Sequence, residues 1–112
     1  MEGLELVAFQ IISAVGAARS NYIEAIQKAK AGDFAGAEAA LKEGEEFFVE
    51  GHHAHTGLLE KEAQEGQGSA VSLLILHAED QLMSAEAFKT ISAEFIEVYK
   101  RMSKGEEMEK IA

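Results

Sequence analysis

The sequence of 112 residues contains neither cysteine nor proline. The absence of cysteine excludes disulfide bonds and thiolate metal sites. The absence of proline means that no residue breaks a helix by removing a backbone N–H donor. β-Branched residues are also sparse, whereas alanine, glutamate and lysine, which favour helices, are abundant. Together these features predict an all-α protein built from long helices.

Basic residues are few as well: 10 lysines and arginines stand against 20 aspartates and glutamates, for a net charge of −10. We do not expect nucleic acid as a partner, because neutralising its phosphates requires clustered lysine and arginine. No apolar run approaches the roughly 18 residues of a membrane span, and residues 1–5 carry no basic segment typical of a secretion signal. We therefore expect a cytoplasmic protein that does not insert into a membrane, folded as one domain over residues 1–112.

Apolar residues recur at intervals of three and four along most of the chain, which is typical of amphipathic helices. The pattern predicts helices over about 4–30, about 34–62 or slightly beyond, and about 70–102. Ala31-Gly32-Asp33 predicts the first turn, because glycine can end one helix and aspartate can cap the next. Residues 65–69 predict the second turn. Short turns make neighbouring helices antiparallel, so the predicted protomer is an up-down-up bundle.

The pattern also predicts the faces and ends of these helices. Gly44, Gly51 and Gly57 weaken the continuity of the second helix. Residues 103–112 are predicted to form a frayed acidic tail. The apolar face of the first helix is predicted to carry Leu6, Phe9, Ile12 or Ser13, Gly16 and Ala17.

Residues 71–78 are apolar on almost every side of the third helix. A helix that is apolar all round is packed all round. A lone protomer of three helices has too little surface to cover this segment, so we expect self-association.

His77 is the sharpest feature of the third helix, because it follows seven mostly apolar residues. His77, Asp80 and Gln81 are spaced i, i+3 and i+4 and therefore share one helix face. Two interpretations remain open. In the first, His77 is a buried histidine hydrogen-bonded to Asp80, since burying such a group without a partner is costly. In the second, an accessible imidazole nitrogen is a nucleophile that can accept a phosphoryl group. Asp80 would then point into the bundle, away from the phosphate.

Asp80 has no obvious cation near it in its own sequence. One interpretation is a local hydrogen bond or a partly exposed side chain. In the other, three copies of Asp80 meet on a threefold axis, where their mutual repulsion favours protonation or a bound cation. A hard cation such as Mg²⁺ takes carboxylate and water oxygens as ligands.

Three further histidines, His52, His53 and His55, lie close together in the second helix. Their spacing differs from that of zinc metalloproteases, and a polar patch near His77 is favoured over a metal site. Arg19 is the one arginine of the first predicted helix. A surface ion pair is favoured for it, with contact to phosphate or to an acidic partner as the alternative.

Four segments resemble the lactose/cellobiose-type enzyme IIA of the phosphoenolpyruvate-dependent sugar phosphotransferase system. The resemblance covers nearly the whole chain, and its most specific element is the motif around His77. The four segments are Ala17-Ala18-Arg19-Ser20, Ala29-Lys30-Ala31-Gly32-Asp33-Phe34, His52 with His55-Thr56, and Leu76-His77-Ala78-Glu79-Asp80-Gln81-Leu82-Met83.

The resemblance implies a phosphoryl carrier with a phosphorylated histidine at His77, modified at Nε2. It implies a homotrimer of nine helices, in which three copies of Asp80 bind a shared Mg²⁺. The phosphate would come from the carrier HPr and pass to the cysteine of a cognate enzyme IIB. The sugar would be a β-linked disaccharide of the lactose, cellobiose or chitobiose class.

The sequence departs from the family pattern at three positions. Glu79 stands where the family usually has glutamine, Gln81 where it often has a second histidine, and His55 where it often has glutamine. We expect these departures to affect the rate of phosphoryl transfer and the choice of partner protein more than the identity of the nucleophile. Two rival functions also stay open: a non-catalytic acidic helical bundle that only binds partners, and a metal-binding protein that uses His52, His53 and His55.

Overall fold

The computed structural model describes residues 3–65 and 73–111, which form an elongated body of 68 × 22 × 19 Å. Its elements are the helices α1 (Leu4–Lys30), α2 (Phe34–Glu65) and α3 (Leu73–Ile111). The predicted all-α class is therefore confirmed. None of the three helices, over the residues described, combines the length and apolar character needed to span a bilayer.

The predicted helix bounds hold for α1 and nearly for α2, but the predicted frayed tail is wrong. α3 continues through residues 103–111 as a regular helix. This segment has no proline, and most of its residues are good helix formers. Glu106 and Lys110 also stand four residues apart, an arrangement that stabilises an exposed helix. The predicted start of the third helix, at Ala70, lies outside the described residues.

The turn between α1 and α2 satisfies the free backbone groups of both helix ends. Gly32 takes a positive φ of 87°, which a side chain would disfavour, and its N–H donates to the carbonyl of Ala29 at 3.0 Å. The Asp33 carboxylate Oδ1 accepts a hydrogen bond from the backbone N–H of Gly36 at 2.9 Å. Asp33 is thus the N-cap of α2, as the sequence predicts.

The side chains that join α2 to α3 establish the antiparallel direction of these two helices. In the three pairs of side chains, the residue number on α2 increases as the residue number on α3 decreases. Since α1 and α2 are also antiparallel, α1 and α3 run in the same direction. The three pairs are Glu38–Lys100, Glu45–Lys89 and His55–Glu79. The predicted up-down-up order is confirmed.

The buried face of α1 differs from the predicted one. Leu6 and Phe9 are 45% and 42% exposed. The buried side chains are mostly smaller, and they include Ala8, Ile11 and Val15. Both α2 and α3 pack on α1, and small side chains let helix axes approach closely. The prediction failed because apolar residues occupy two faces of α1, and close packing selected the face with the smaller side chains.

Two glycines of α2 lie where α1 approaches. A Cβ atom placed on Gly51 would stand 2.6 Å from Cγ1 of Val15, and one on Gly44 would stand 2.7 Å from the Tyr22 ring. Gly57, in contrast, has nothing within 4 Å of its Cβ position. Gly44 and Gly51 therefore permit close helix packing, and α2 is continuous through all three glycines.

Gly51→Ala is expected to destabilise the protein by about 1 kcal/mol. Overpacking against buried Val15 costs about 1–3 kcal/mol, and the better helix propensity of alanine offsets about 1 kcal/mol. The matched control Gly57→Ala should stabilise by up to about 1 kcal/mol, because only the propensity gain applies. Urea unfolding of both variants measures the difference. Equal midpoints would show that α1 and α2 are not in close contact at Gly51.

A cluster of polar side chains links all three helices. The Tyr22 hydroxyl of α1 lies 3.5 Å from Glu45 Oε2 of α2, and Lys89 Nζ of α3 lies 2.7 Å from the same oxygen. Lys89 Nζ also stands 5.2 Å from the centre of the Phe48 ring. Burial, then the charge of Glu45 and the hydrogen bond to it, raise the pKa of Tyr22 far above its ordinary value. The phenol therefore remains protonated and donates to Glu45.

Candidate functional site

His77 lies on the exposed side of α3, next to the residues that anchor this helix. Ala78, Leu82 and Ala85 are buried in the cluster that includes Ile11 and Val15 of α1. His77 precedes the first of these anchors, and within the described residues its ring has no hydrogen-bond partner. The interpretation as a buried histidine bonded to Asp80 is therefore wrong. The ring is accessible, and the opposite side of its helix is packed against α1.

An apolar row runs along the outer face of α3, and we call it the α3 stripe. Its members recur every three or four residues, all are exposed in the protomer, and Leu73 reaches 85% exposure. They are Leu73, Leu76, Asp80, Met83, Ala87, Ile91, Phe95, Val98 and Met102. His77 borders this stripe. An exposed face of this length that is apolar at every position except Asp80 is typical of a surface that binds another protein molecule.

Asp80 is the one charged member of the α3 stripe. Its carboxylate is exposed and has no polar partner among the residues described. The side chain lies on the outer face of the protomer and outside its three-helix core, and its place inside an assembled bundle stays a prediction. Leu73 and Leu76 are 85% and 51% exposed, as the sequence predicts for a lone protomer that cannot cover this segment.

Arg19 reaches from α1 to α3, where its Nη1 lies 3.4 Å from the Ser84 hydroxyl. Ser84 is seven residues after His77, and Gln81 lies between them on the same face. No carboxylate pairs with Arg19 in the part of the chain that is described. The predicted surface ion pair of Arg19 is wrong, and its cation instead lies beside the face that carries His77.

The three histidines of α2 do not converge. His52 is exposed and its ring centre lies 6.2 Å from that of Phe48, while His53 is exposed without a polar partner in the described structure. His55 turns towards α3 instead. Across residues 3–65 and 73–111, no group of three or more His, Asp or Glu side chains is arranged to hold a metal. The geometry of one chain gives the metal-binding hypothesis for these histidines no support.

His55 forms a hydrogen bond across α2 and α3 that the sequence did not reveal. Its Nε2 lies 2.9 Å from Oε1 of Glu79, which follows His77 by two residues on α3. The side chain of His55 is only 17% exposed, and that of Glu79 is 43% exposed. The two residues are 24 positions apart, so only the register of α2 against α3 brings them together. His55 therefore contacts the helix that carries His77, and the polar patch lining the site around His77 stays a prediction.

The arrangement suits nucleophilic attack by an exposed imidazole. A neutral imidazole nitrogen with no hydrogen bond to another side chain can form a bond to phosphorus. No further acid, base or nucleophile of the described chain contacts His77.

The family model described as "PTS system, Lactose/Cellobiose specific IIA subunit" matches residues 6–100. The chain belongs to this family. The resemblance read from the four sequence segments is confirmed, and the protein is an enzyme IIA component of a sugar phosphotransferase system.

Two relatives support the same assignment from sequence. The chain is 42% identical over 100 residues to a "PTS system lactose-specific EIIA component" of Staphylococcus aureus, covering 89% of this chain and 96% of that one. It is 39% identical over 102 residues to the "Lichenan-specific phosphotransferase enzyme IIA component" of Bacillus subtilis, covering 91% and 92%. Both matches span nearly the full length of each protein.

Solved structures of enzymes IIA share the fold. The cellobiose-specific enzyme IIA of Bacillus anthracis superposes with a TM-score of 0.87 at 39% identity, covering 93% of this chain and 95% of that one. The chitobiose IIA in a solution structure of its complex with HPr, from Escherichia coli, gives a TM-score of 0.79 at 35% identity, covering 92% and 99%. The three-helix architecture is therefore that of the family.

Two of the three positions that depart from the family pattern are in contact. His55 of α2 and Glu79 of α3 are joined by the hydrogen bond between these helices. Gln81, the third position, is half-buried next to the exposed His77 face.

Proposed function

We propose that the chain is a phosphoryl carrier, in which His77 accepts phosphate from HPr and passes it to a cognate enzyme IIB. The observation that carries the proposal is the free, exposed imidazole of His77 on a helix anchored by Ala78, Leu82 and Ala85. The exposed ring leaves room for two partner proteins to use the same surface in turn. Such alternation requires a modest, transient interface with each partner.

The transfer needs two displacements at phosphorus. In the first, the lone pair of His77 Nε2 attacks the phosphoryl group of phospho-HPr, the new P–N bond forms, and the P–N bond to HPr breaks. In the second, the thiolate of the IIB cysteine attacks, a P–S bond forms, and the bond to His77 breaks. Positioning and charge stabilisation supply most of the catalysis in such reactions. Arg19 lies beside this face and has no carboxylate partner among residues 3–65 and 73–111, so it is suited to receive an anionic group of a partner.

The relatives support a choice of donor and of sugar class. A neighbour of known structure was solved as a complex of IIA with HPr, which supports HPr as the donor here. The names of the relatives refer to lactose, lichenan, cellobiose and diacetylchitobiose. We propose that the system takes up a β-linked disaccharide of this class.

A transfer assay tests this function directly. The wild-type chain, incubated with phosphoenolpyruvate, enzyme I and HPr, should become phosphorylated with the acid lability of a phosphohistidine. Adding purified enzyme IIB of the lactose/cellobiose type to the isolated phosphoprotein should discharge it. Failure to label the wild-type chain, together with normal binding to HPr, would favour the non-catalytic interaction protein instead.

We propose further that three copies assemble through the α3 stripe into a nine-helix bundle. The exposed apolar side chains of this stripe would then be buried around a threefold axis, and closed symmetry is the usual form of homo-oligomers. His77 borders the stripe and would remain near the rim of the interface. The assembly thus covers the apolar face without requiring the nucleophile to be buried.

Asp80 fits a shared Mg²⁺ in such a trimer. Its carboxylate has no partner of its own in the described chain and lies among apolar side chains, so three copies would meet in a poorly solvated place. Three carboxylates there repel one another unless they are protonated or bind a cation. Mg²⁺ prefers oxygen ligands and keeps several waters, which suits one carboxylate oxygen from each chain. Bound there, the ion would neutralise charge on the axis.

Asp80→Leu is expected to tighten the trimer when divalent cations are removed, by about 1–4 kcal/mol, because leucine replaces mutually repelling carboxylates. Added Mg²⁺ should tighten the wild-type trimer and leave the variant unchanged. Sedimentation velocity with EDTA and with Mg²⁺ measures both effects. Glu86→Leu, an exposed change on the same helix outside the α3 stripe, is the control for added apolar surface. An equal response of wild type and Asp80→Leu to Mg²⁺ would rule out Asp80 as the ligand.

A further inference from the structure

The helical neighbours of His77 differ in what they can offer an anion bound to its ring. On an α-helix the neighbours of a side chain on its own face stand three and four residues away in either direction. For His77 these neighbours are Leu73, Leu74, Asp80 and Gln81. Two of them are hydrocarbon, and an ionised aspartate only accepts hydrogen bonds. Gln81 is therefore the neighbour on α3 that carries side-chain N–H donors.

The side chain of Gln81 is placed towards His77 by helix geometry. Four residues of α-helix separate two positions by about 40° around the axis and about 6 Å along it, which brings the Cβ atoms within about 5–6 Å. Helical side chains also lean towards the N-terminus, and in Gln81 this direction is that of the turn that carries His77. Ala78 and Leu82, which flank these positions, are 1% and 6% exposed and fix the backbone. The amide of Gln81 can therefore reach a phosphoryl oxygen on His77.

The amide group of Gln81 is also free to make this contact. Gln81 is half-buried, and it forms no hydrogen bond within residues 3–65 and 73–111. Its NH₂ group has two donors, and the group is neutral at every physiological pH. A hydrogen bond to a phosphoryl oxygen thus requires no existing bond of Gln81 to break.

The charges around His77 make such a donor valuable. A phosphoryl group brings up to two negative charges to a chain whose net charge is already −10. Asp80, three residues after His77, adds a negative charge on the adjoining α3 stripe. From α1, Arg19 meets this face at Ser84, two turns beyond His77. The donor that stands one turn from His77 is therefore the Gln81 amide.

We propose that Gln81 is a catalytic residue, whose amide N–H donates a hydrogen bond to an oxygen of the phosphoryl group on His77. The contact stabilises charge on the phosphoryl oxygens during transfer and in the phosphorylated protein. The amide keeps its proton, so the bonds that form and break are those of the two displacements at phosphorus. The proposal rests on the proposed function of His77 and adds a second residue that touches the transferred group.

The equilibrium of phosphoryl transfer between HPr and the chain tests this role. Gln81→Met keeps an unbranched side chain of similar length and removes both donors. The equilibrium constant for transfer to this variant should fall by about three- to tenfold, the net value of one hydrogen bond. Gln81→Glu should lower it further, because a carboxylate repels the phosphoryl group. Gln81→Lys, which retains N–H donors and adds a positive charge, should equal or exceed the wild type.

Two further measurements separate this role from an effect on docking or on the fold. The ³¹P resonance of the phosphorylated chain should shift in Gln81→Met, because the donor is lost from the phosphoryl group itself. The affinity for unphosphorylated HPr should be unchanged in all three variants. Circular dichroism and sedimentation check the fold and the assembly.

Gln27→Met is the matched control. Gln27 is an exposed glutamine of α1, eight residues beyond Arg19. Since α1 and α3 run in the same direction and Arg19 meets Ser84, Gln27 lies still further from His77. This variant should have the wild-type equilibrium constant and the wild-type ³¹P resonance.

Two results would overturn the proposal. A wild-type equilibrium constant and a wild-type ³¹P resonance in Gln81→Met would show that the amide does not touch the phosphoryl group. Equal falls in the methionine, glutamate and lysine variants would show that this position contributes packing and no donor. A wild-type chain that takes no label from HPr would instead overturn the proposed function of His77, so the two failures are distinguishable.

Discussion

Replacing His77 with alanine is expected to abolish labelling by phosphoenolpyruvate, enzyme I and HPr, a loss of at least about a thousandfold in rate. The imidazole nitrogen is the proposed acceptor atom, so removing the ring removes the acceptor itself. His77 is exposed and contributes no buried packing, so the variant should fold normally. Phosphate transfer resolved on acid-free gels or by intact-mass spectrometry measures the loss.

His53→Ala is the matched control for this experiment. His53 is another exposed histidine, on α2, and its removal should leave labelling at the wild-type level. Label that persists in His77→Ala would show that the nucleophile lies elsewhere. Equal losses in the two variants would indicate damage to partner binding instead of the loss of one acceptor nitrogen.

Met83→Glu is expected to convert the proposed trimer to monomers at micromolar concentration. Met83 is 65% exposed in the protomer and lies in the α3 stripe one turn after Asp80. Burying a methionine contributes about 1.5–3 kcal/mol per chain, and the substitution replaces this gain with a buried charge repeated around the axis. Analytical ultracentrifugation over a range of concentrations measures the shift.

Met108→Glu serves as the comparison. Met108 is on the same helix and 71% exposed, but it lies beyond the α3 stripe, so its substitution should leave the trimer intact. A trimer that survives Met83→Glu would show that the α3 stripe is not the interface. Dissociation by both variants would mean that the assembly depends on the overall charge of α3.

The sequence predicted local structure well because the forces involved are local. The turn at 31–33 depends on one glycine with positive φ and one aspartate cap, and both are recognisable from residue type. The acidic, polar composition of residues 103–112 predicts a frayed tail, and this prediction is wrong. Its helix propensity and its i, i+4 charge spacing are sufficient to continue the helix to Ile111.

The spacing of apolar residues does not predict which face of α1 is buried. Apolar residues occupy two faces of this helix, one with Leu6 and Phe9 and another with Ala8 and Ile11. Spacing alone cannot choose between them. The choice depends on how closely α2 and α3 approach, and the glycines at 44 and 51 allow an approach that favours small side chains.

The amino-acid sequence by itself determined the helical class, the first turn, the family and the histidine proposed to react. Each of these is carried by residues close together in the chain. The tertiary structure alone decided that His77 and Asp80 face outwards, that Arg19 meets Ser84, and that His55 meets Glu79. These facts depend on the register and rotation of whole helices, which are set by packing over the full length of the bundle and leave no local pattern in the sequence.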